Sequence, residues 1–280
     1  MRICGTGLVG ACTVGVAASM AMAANTQNIL ITGYWPPTNE MLRQWSTNPS
    51  QNPGGWQGLD WEGRGYNIYS YFPEFPGGTG ANPRGTGDFQ VDYQAASADF
   101  WRVTSELHPV AIITFSRGAS GSNWELESRA RKLPLTSWTP DYLAPTRPTS
   151  DLPIALEPDN NIRFSSLPMT QIRNAVAAAN LPLTAFIDTS NDFGGTFVSE
   201  FTSYHSAWYA NLHSAPEDPW RTFAGGHIHV GISTPTATAV TATEITLRTL
   251  TDYLDQVIPS PSSVAVLGMG LLGLGRGRRT

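Results

Sequence analysis

Cysteine is almost missing, and its placement says more than its number. The chain has two cysteines in 280 residues, Cys4 and Cys12, and both fall in a stretch that reads as a leader. From Ala24 onward no disulfide can form, and no thiol is offered to a metal or to a reaction. Cationic runs are also missing inside the domain. With 17 Lys and Arg against 22 Asp and Glu, the formal net charge is -5, which repels a phosphate backbone and argues against a nucleic-acid partner. Zinc-ligand spacing, a phosphate loop, a dinucleotide fingerprint and a Gly-x-Ser-x-Gly elbow are all absent. Neither a metal nor a cofactor is expected.

What is abundant is turn chemistry and aromatic mass. The 27 Gly and 21 Pro make many connections tight turns or irregular loops. Nine Trp, nine Tyr and eleven Phe argue against a disordered chain. The length supports one well-filled core over residues 24–257.

Both ends carry processing patterns. Met1-Arg2, the small or apolar run Leu8 to Met20 and the small-x-small triplet Ala21-Met22-Ala23 form a signal peptide over 1–23. A buried strand is the competing reading, but the Gly and Ala content there makes a poor one. At the other end, 258–280, Pro259-Ser260-Pro261-Ser262-Ser263 precedes the apolar stretch Val264 to Leu274 and the arginines Arg276, Arg278 and Arg279. That order resembles the PEP-CTERM sorting signals of Gram-negative bacteria, with Ser260 where the motif has an acidic residue. The stretch is short beside the roughly 20 apolar residues of a spanning helix. The resemblance implies a short hydrophobic helix, transient membrane association and processing by an exosortase after signal peptidase. The expected location is therefore the cell surface or extracellular matrix, or the periplasm on the way there.

Within the domain, Asn28 to Thr32 reads as a central strand ending at Gly33. About 60 irregular residues follow, with an enlarged segment at about 51–92 and one strand or hairpin at Tyr66 to Phe72; this region is expected to be packed surface or a site cover. Apolar residues at helical spacing predict a helix over Tyr93 to Leu107, stopped by Pro109. Val110 to Phe115 is the clearest buried strand, followed by a polar loop. Further expectations are a strand or ledge at Trp124 to Leu133, a helix at Leu167 to Ala179 and a strand at Thr184 to Thr189. A helix over Thr196 to Leu212, a strand at His227 to Val230 and a helix over Val240 to Val257 complete the series. Strands alternating with helices predict an α/β three-layer sandwich, a mostly parallel twisted sheet with helices on both faces.

Three groups of residues are candidates for chemistry. Ser199 follows the Gly194-Gly195 turn, where the first turn of a helix offers unpaired N–H groups and the positive end of a dipole. His227 and His229, two apart on a strand, share one sheet face. Glu125 or Glu127 is placed to orient a histidine, as the acid does in a nucleophile–base–acid triad.

Four stretches together resemble the pyroglutamyl peptidase I (pyrrolidone-carboxylate peptidase) family, in order and over most of 28–257. They are Ile31-Thr32-Gly33-Tyr34-Trp35-Pro36 with Asn48-Pro49-Ser50, Glu127-Ser128-Arg129-Ala130, Asn191 to Ser199, and Gly226-His227-Ile228-His229-Val230. The resemblance implies a helix–sheet–helix sandwich, a peptide or small amide or ester substrate, and a catalytic Glu127 and His229, with His227 in place of a Phe. The family's nucleophilic Cys is Ser199 here, its following Asn is Glu200, and an aromatic of its pyroglutamate pocket is Pro37. Gly33, Tyr34, Trp35, Gly194, Gly195 and Phe197 are the expected oxyanion or pocket residues. An alcohol needs its proton removed during attack, which a Ser199–His229–Glu127 set is equipped to do. The alternative is a silent relative that binds a ligand or surface polymer.

Overall fold

The computed structural model describes residues 27–258. The leader at 1–23 and all but the first residue of the tail at 258–280 lie outside the described residues.

Six strands form the main sheet: β1 (Asn28–Thr32), β2 (Asn67–Tyr71), β3 (Ala111–Gly118), β4 (Asn123–Glu127), β7 (Thr184–Asp188) and β8 (Ala224–Gly231), in the spatial order β2-β1-β3-β8-β4-β7. Every neighbouring pair is parallel except β4 against β8. The sandwich expected from the alternation of strands and helices is thus present, with a mostly parallel sheet. A short antiparallel ribbon, β5 (Arg129–Arg131) with β6 (Ile162–Phe164), stands apart from it.

Both faces of the sheet are covered, which is why its central strands are apolar in both directions. Ile29, Ile31, Ile113 and Phe115 pack on one face with Ile172 and Val176 of α2 (Met169–Ala178) and Leu247, Leu250 and Leu254 of α4 (Thr236–Val257). Leu30 and Ile112 look the other way, onto Phe100 and Val103 of α1 (Tyr93–Leu107) and Phe201 and Tyr204 of α3 (Val198–Leu212). α1 begins where Asp92 accepts the Ala95 N–H at 2.8 Å, a side-chain N-cap.

Several boundaries move. The segment at Tyr66 to Phe72 is one strand, β2, paired in parallel with β1, so it extends the sheet and does not fold back as a hairpin. β3 runs on through Ser116, Arg117 and Gly118, residues whose polarity reads as loop, because β8 pairs with it to the end of Gly231. The stretch Trp124 to Leu133 divides into β4 and β5, since the chain leaves the main sheet at Ser128. α3 starts at Val198 and α4 at Thr236, not at Thr196 and Val240.

β1 stops at Thr32, opposite Thr114. The last residues of β3 therefore have β8 on one side and an open notch on the other. The loop after β1 and the turn before α3 meet at that notch.

Candidate active site

The site is organised around Gly194. After β7 the chain makes a tight turn, with the Gly195 N–H donating to the Asp192 carbonyl at 3.2 Å and Phe193 in the left-handed region at φ 55°. The Phe193 ring is held there by the Arg131 guanidinium 4.6 Å from its centroid. Gly194 is buried by three neighbours. Its N–H donates to Glu200 Oε2 at 2.7 Å, its carbonyl accepts the Ser199 hydroxyl at 2.9 Å, and its α-carbon faces His229, so that an added Cβ would lie 3.4 Å from His229 Cε1. Serine and imidazole thus flank one glycine.

His229 lies near the carboxyl end of β8 and is 8% exposed. Its Nδ1 is 2.7 Å from Oε1 of Glu127, the last residue of β4 and 3% exposed. A carboxylate oxygen can only accept, so this contact places the proton on Nδ1 and leaves Nε2 with a lone pair. The contact is diagonal: in the antiparallel register Glu125 is opposite His229, and Glu127 is opposite His227. Glu125, Glu127 and His229 bring ligand-type atoms within 4.8 Å of one another. Two carboxylates and one imidazole fall short of a closed structural site, and His229 Nδ1 is already engaged with Glu127.

His227 has a different task. It is fully buried, with Nδ1 2.8 Å from the Thr114 hydroxyl and Nε2 2.8 Å from the Ser116 hydroxyl. Burial, then the neighbouring His229, hold its pKa well below 6.5, so it is neutral. With both nitrogens occupied it packs the sheet face beneath His229, ring centroids 4.6 Å apart.

Glu200 is turned under the Gly194 turn and away from solvent, accepting N–H groups of Gly194 and Arg131. Burial pushes its carboxyl up to about 8, against those two backbone donors, which favour the charged form. At neutral pH its charge is therefore largely suppressed.

Ser199 is the second residue of α3. The helix has no side-chain N-cap at Phe197, and among the described residues no acceptor meets the N–H groups of Val198, Ser199 and Glu200. Three unpaired donors at a helix start attract negative charge. The Ser199 hydroxyl points to Gly194, not to His229, so the expected bond from nucleophile to base is not formed in this conformation.

A cavity of about 90 Å³ opens beside Ser199, lined among others by Tyr34, Trp35, Ser116, Arg117 and Phe197. Val91, from the end of the enlarged segment, also lines it, and the Trp35 indole N–H donates to the Pro83 carbonyl at 2.7 Å, so that segment does contribute to the site cover. Of the expected pocket residues, Gly33, Gly194 and Gly195 do not line it, Gly194 being buried behind Ser199 and Glu200. Gly33 allows the backbone to pass Thr38, whose carbonyl occupies the place a Cβ would take. Gly195 is exposed. The sequence reading missed Ser116 and Arg117, although a cation at the end of the most apolar strand is a signal that was there to see.

No protein-family model matches the chain, and no curated protein matches it. Solved structures do. Pyrrolidone carboxyl peptidase from Thermococcus litoralis is similar over 84% of this chain and 99% of that one, with a TM-score of 0.56 and 16% identity. A mutant of the enzyme from the hyperthermophile Pyrococcus furiosus gives 0.55 over 81% and 99%, at 14% identity. The P. furiosus structures that include a Cys-free mutant give 0.56 over 81% and 99%, at 15% identity. These likenesses establish a divergent pyrrolidone-carboxyl-peptidase-like fold.

Proposed function

We propose that the protein is an exported hydrolase that cleaves an amide or ester bond through Ser199, His229 and Glu127. The observation that carries this reading is the 2.7 Å contact between Glu127 Oε1 and His229 Nδ1. It leaves the Nε2 lone pair of a histidine packed against the glycine that also holds Ser199.

The steps balance as follows. Ser199 Oγ, rotated from the Gly194 carbonyl toward His229, bonds to the substrate carbonyl carbon while its proton passes to Nε2. The negative charge on the carbonyl oxygen is met by the free N–H groups at the start of α3. Collapse breaks the C–N or C–O bond, and the proton on Nε2 goes to the leaving amine or alcohol. Water oxygen then bonds to the acyl carbon while its proton passes to the same nitrogen; the bond to Ser199 Oγ breaks, Nε2 returns the proton to Oγ and the acid leaves. Glu127 keeps the imidazole in one tautomer throughout. Glu200, mostly neutral below about 8, adds little repulsion to the developing anion.

The likeness of fold to pyrrolidone carboxyl peptidases supports a peptide or small amide substrate. Pro37 stands where the family has an aromatic of its pyroglutamate pocket, which argues against pyroglutamyl specificity. The leader at 1–23 and the tail at 258–280 support action outside the cytoplasm, at the cell surface of a Gram-negative bacterium.

Labelling with a fluorophosphonate tests the nucleophile. The wild type should gain one adduct by intact-mass measurement, and Ser199→Ala should gain none and lose turnover by about 10³-fold or more. A wild type that takes no adduct and turns over neither pyroglutamyl nor simple ester substrates would instead be a silent binding protein.

A further inference from the structure

The cavity beside Ser199 holds a cation with nothing to pair it. Arg117 sits in the notch beyond the end of β1, with its guanidinium carbon 4.6 Å from the centre of the Trp35 ring. Trp35, Tyr142 and Phe197 form a triangle of rings, with centroid separations of 6.2, 6.0 and 6.1 Å. Among the described residues no carboxylate pairs with Arg117, and no hydrogen bond engages its guanidinium. Four other arginines of similar partial burial are paired: Arg43 with Glu40 and Glu74, Arg64 with Asp252, Arg163 with Glu157 and Arg248 with Glu62 and Glu244. Arg131 and Arg221 also lack a carboxylate and lie over rings, but neither lines the cavity beside Ser199.

A partly desolvated guanidinium remains charged, because it does not give up its proton in proteins. Its face is satisfied by Trp35, but the in-plane N–H donors are not, and these are the groups that grip a carboxylate in a bidentate fork. A wholly apolar cavity would select an apolar acyl group. This one instead carries a fixed positive charge beside the nucleophile.

The geometry points to Arg117 as the residue that selects the substrate: an acyl group ending in a carboxylate, a few atoms from the carbonyl that Ser199 attacks. The cavity measures about 90 Å³, several times the roughly 10–15 Å³ that one water occupies in the same measure. That is room for a short dicarboxylic half-acyl group such as glutaryl, and too little for a long side chain. This inference rests on the hydrolase reading for its chemistry but not for its binding.

Two measurements on the processed full-length protein separate the two. The first compares kcat/KM for glutaryl and pentanoyl 4-nitroanilides, which share chain length and leaving group and differ in the terminal carboxylate. The wild type should favour the glutaryl substrate by at least about tenfold, and Arg117→Gln should bring that ratio to about one. Arg117→Lys, which keeps the charge but not the fork, should fall between. The second titrates glutarate and the neutral glutaramide against Trp fluorescence. Glutarate should bind the wild type at least about tenfold more tightly than glutaramide, and Arg117→Gln should erase the difference. Circular dichroism of each variant checks that it is folded. If the protein proves inactive yet binds glutarate through Arg117, the hydrolase reading falls and this one stands. Equal turnover of the two anilides, or equal binding of glutarate and glutaramide by the wild type, overturns it.

Discussion

At the scale of single residues the site is a small electrostatic arrangement, and Glu200 is its most testable member. Its carboxyl, ordinarily near 4.5, is lifted by burial to about 8. Between those values the folded chain keeps a proton that the unfolded chain has released. Stability must then fall as pH rises from about 4.5 to about 8 on account of this group. Buried His227 acts in the opposite sense, because an imidazole held well below 6.5 costs stability as pH falls through its unfolded value. That contribution is common to wild type and variant and drops out of their difference. Glu200→Gln places an amide N–H₂ against one of two backbone donors and should cost about 1–3 kcal/mol near pH 5. Because it cannot titrate, it should lose less stability than the wild type on going to about pH 8. Urea unfolding at the two pH values measures this, and parallel losses would show that Glu200 is ionised throughout.

At the scale of elements, the turn from β7 into α3 sets the distances in the site. A Cβ on Gly194 would lie 2.6 Å from Glu200 Oε2. That oxygen belongs to a buried carboxyl group held by two backbone N–H groups, so it has no cheap way to move. Gly194→Ala should therefore destabilise the fold by on the order of 1–3 kcal/mol and remove hydrolysis, by shifting Ser199 and His229 apart. Gly80→Ala, where nothing lies within 4 Å of the added carbon, is the matched control and should leave both unchanged. Thermal unfolding and turnover of one ester substrate on the two variants decide it. An unchanged Gly194→Ala would mean that the turn is loose enough to adjust.

The elements also show what was legible in the residues. α1 matches its expected bounds because its period is unambiguous and its ends carry Asp92 and Pro109. β3 does not, because Ser116 and Arg117 are polar and only their pairing with β8 makes them strand. The acid and base were readable as types at spacings. Spacing alone left Glu125 or Glu127 and His227 or His229 open; the family resemblance singled out Glu127 with His229, and the antiparallel packing of β4 against β8 brings those two into contact.

At the scale of the whole molecule, the described residues form a six-stranded main sheet with a helix layer on each face and a separate two-stranded ribbon, and no helix among them is long and apolar enough to cross a membrane. The tail at 258–280, on which the proposed membrane association rests, lies outside the described residues except for Ile258. Expression of the full chain in a Gram-negative host should yield exported protein that begins at Ala24, by intact-mass and N-terminal analysis. Soluble cytoplasmic protein keeping both Met1 and the Arg279 end would overturn export.

The residues by themselves determined the fold class and put a serine, not a cysteine, at position 199. Period, apolar content and turn residues are local properties, and the type of residue at position 199 needs no coordinates. Tertiary structure decided the rest. It turned Ser199 toward Gly194, buried His227 between two hydroxyls, enclosed Glu200 under the Gly194 turn and left Arg117 without a carboxylate in the cavity. Each of these depends on distances between segments far apart in the chain, and on how much water their packing excludes.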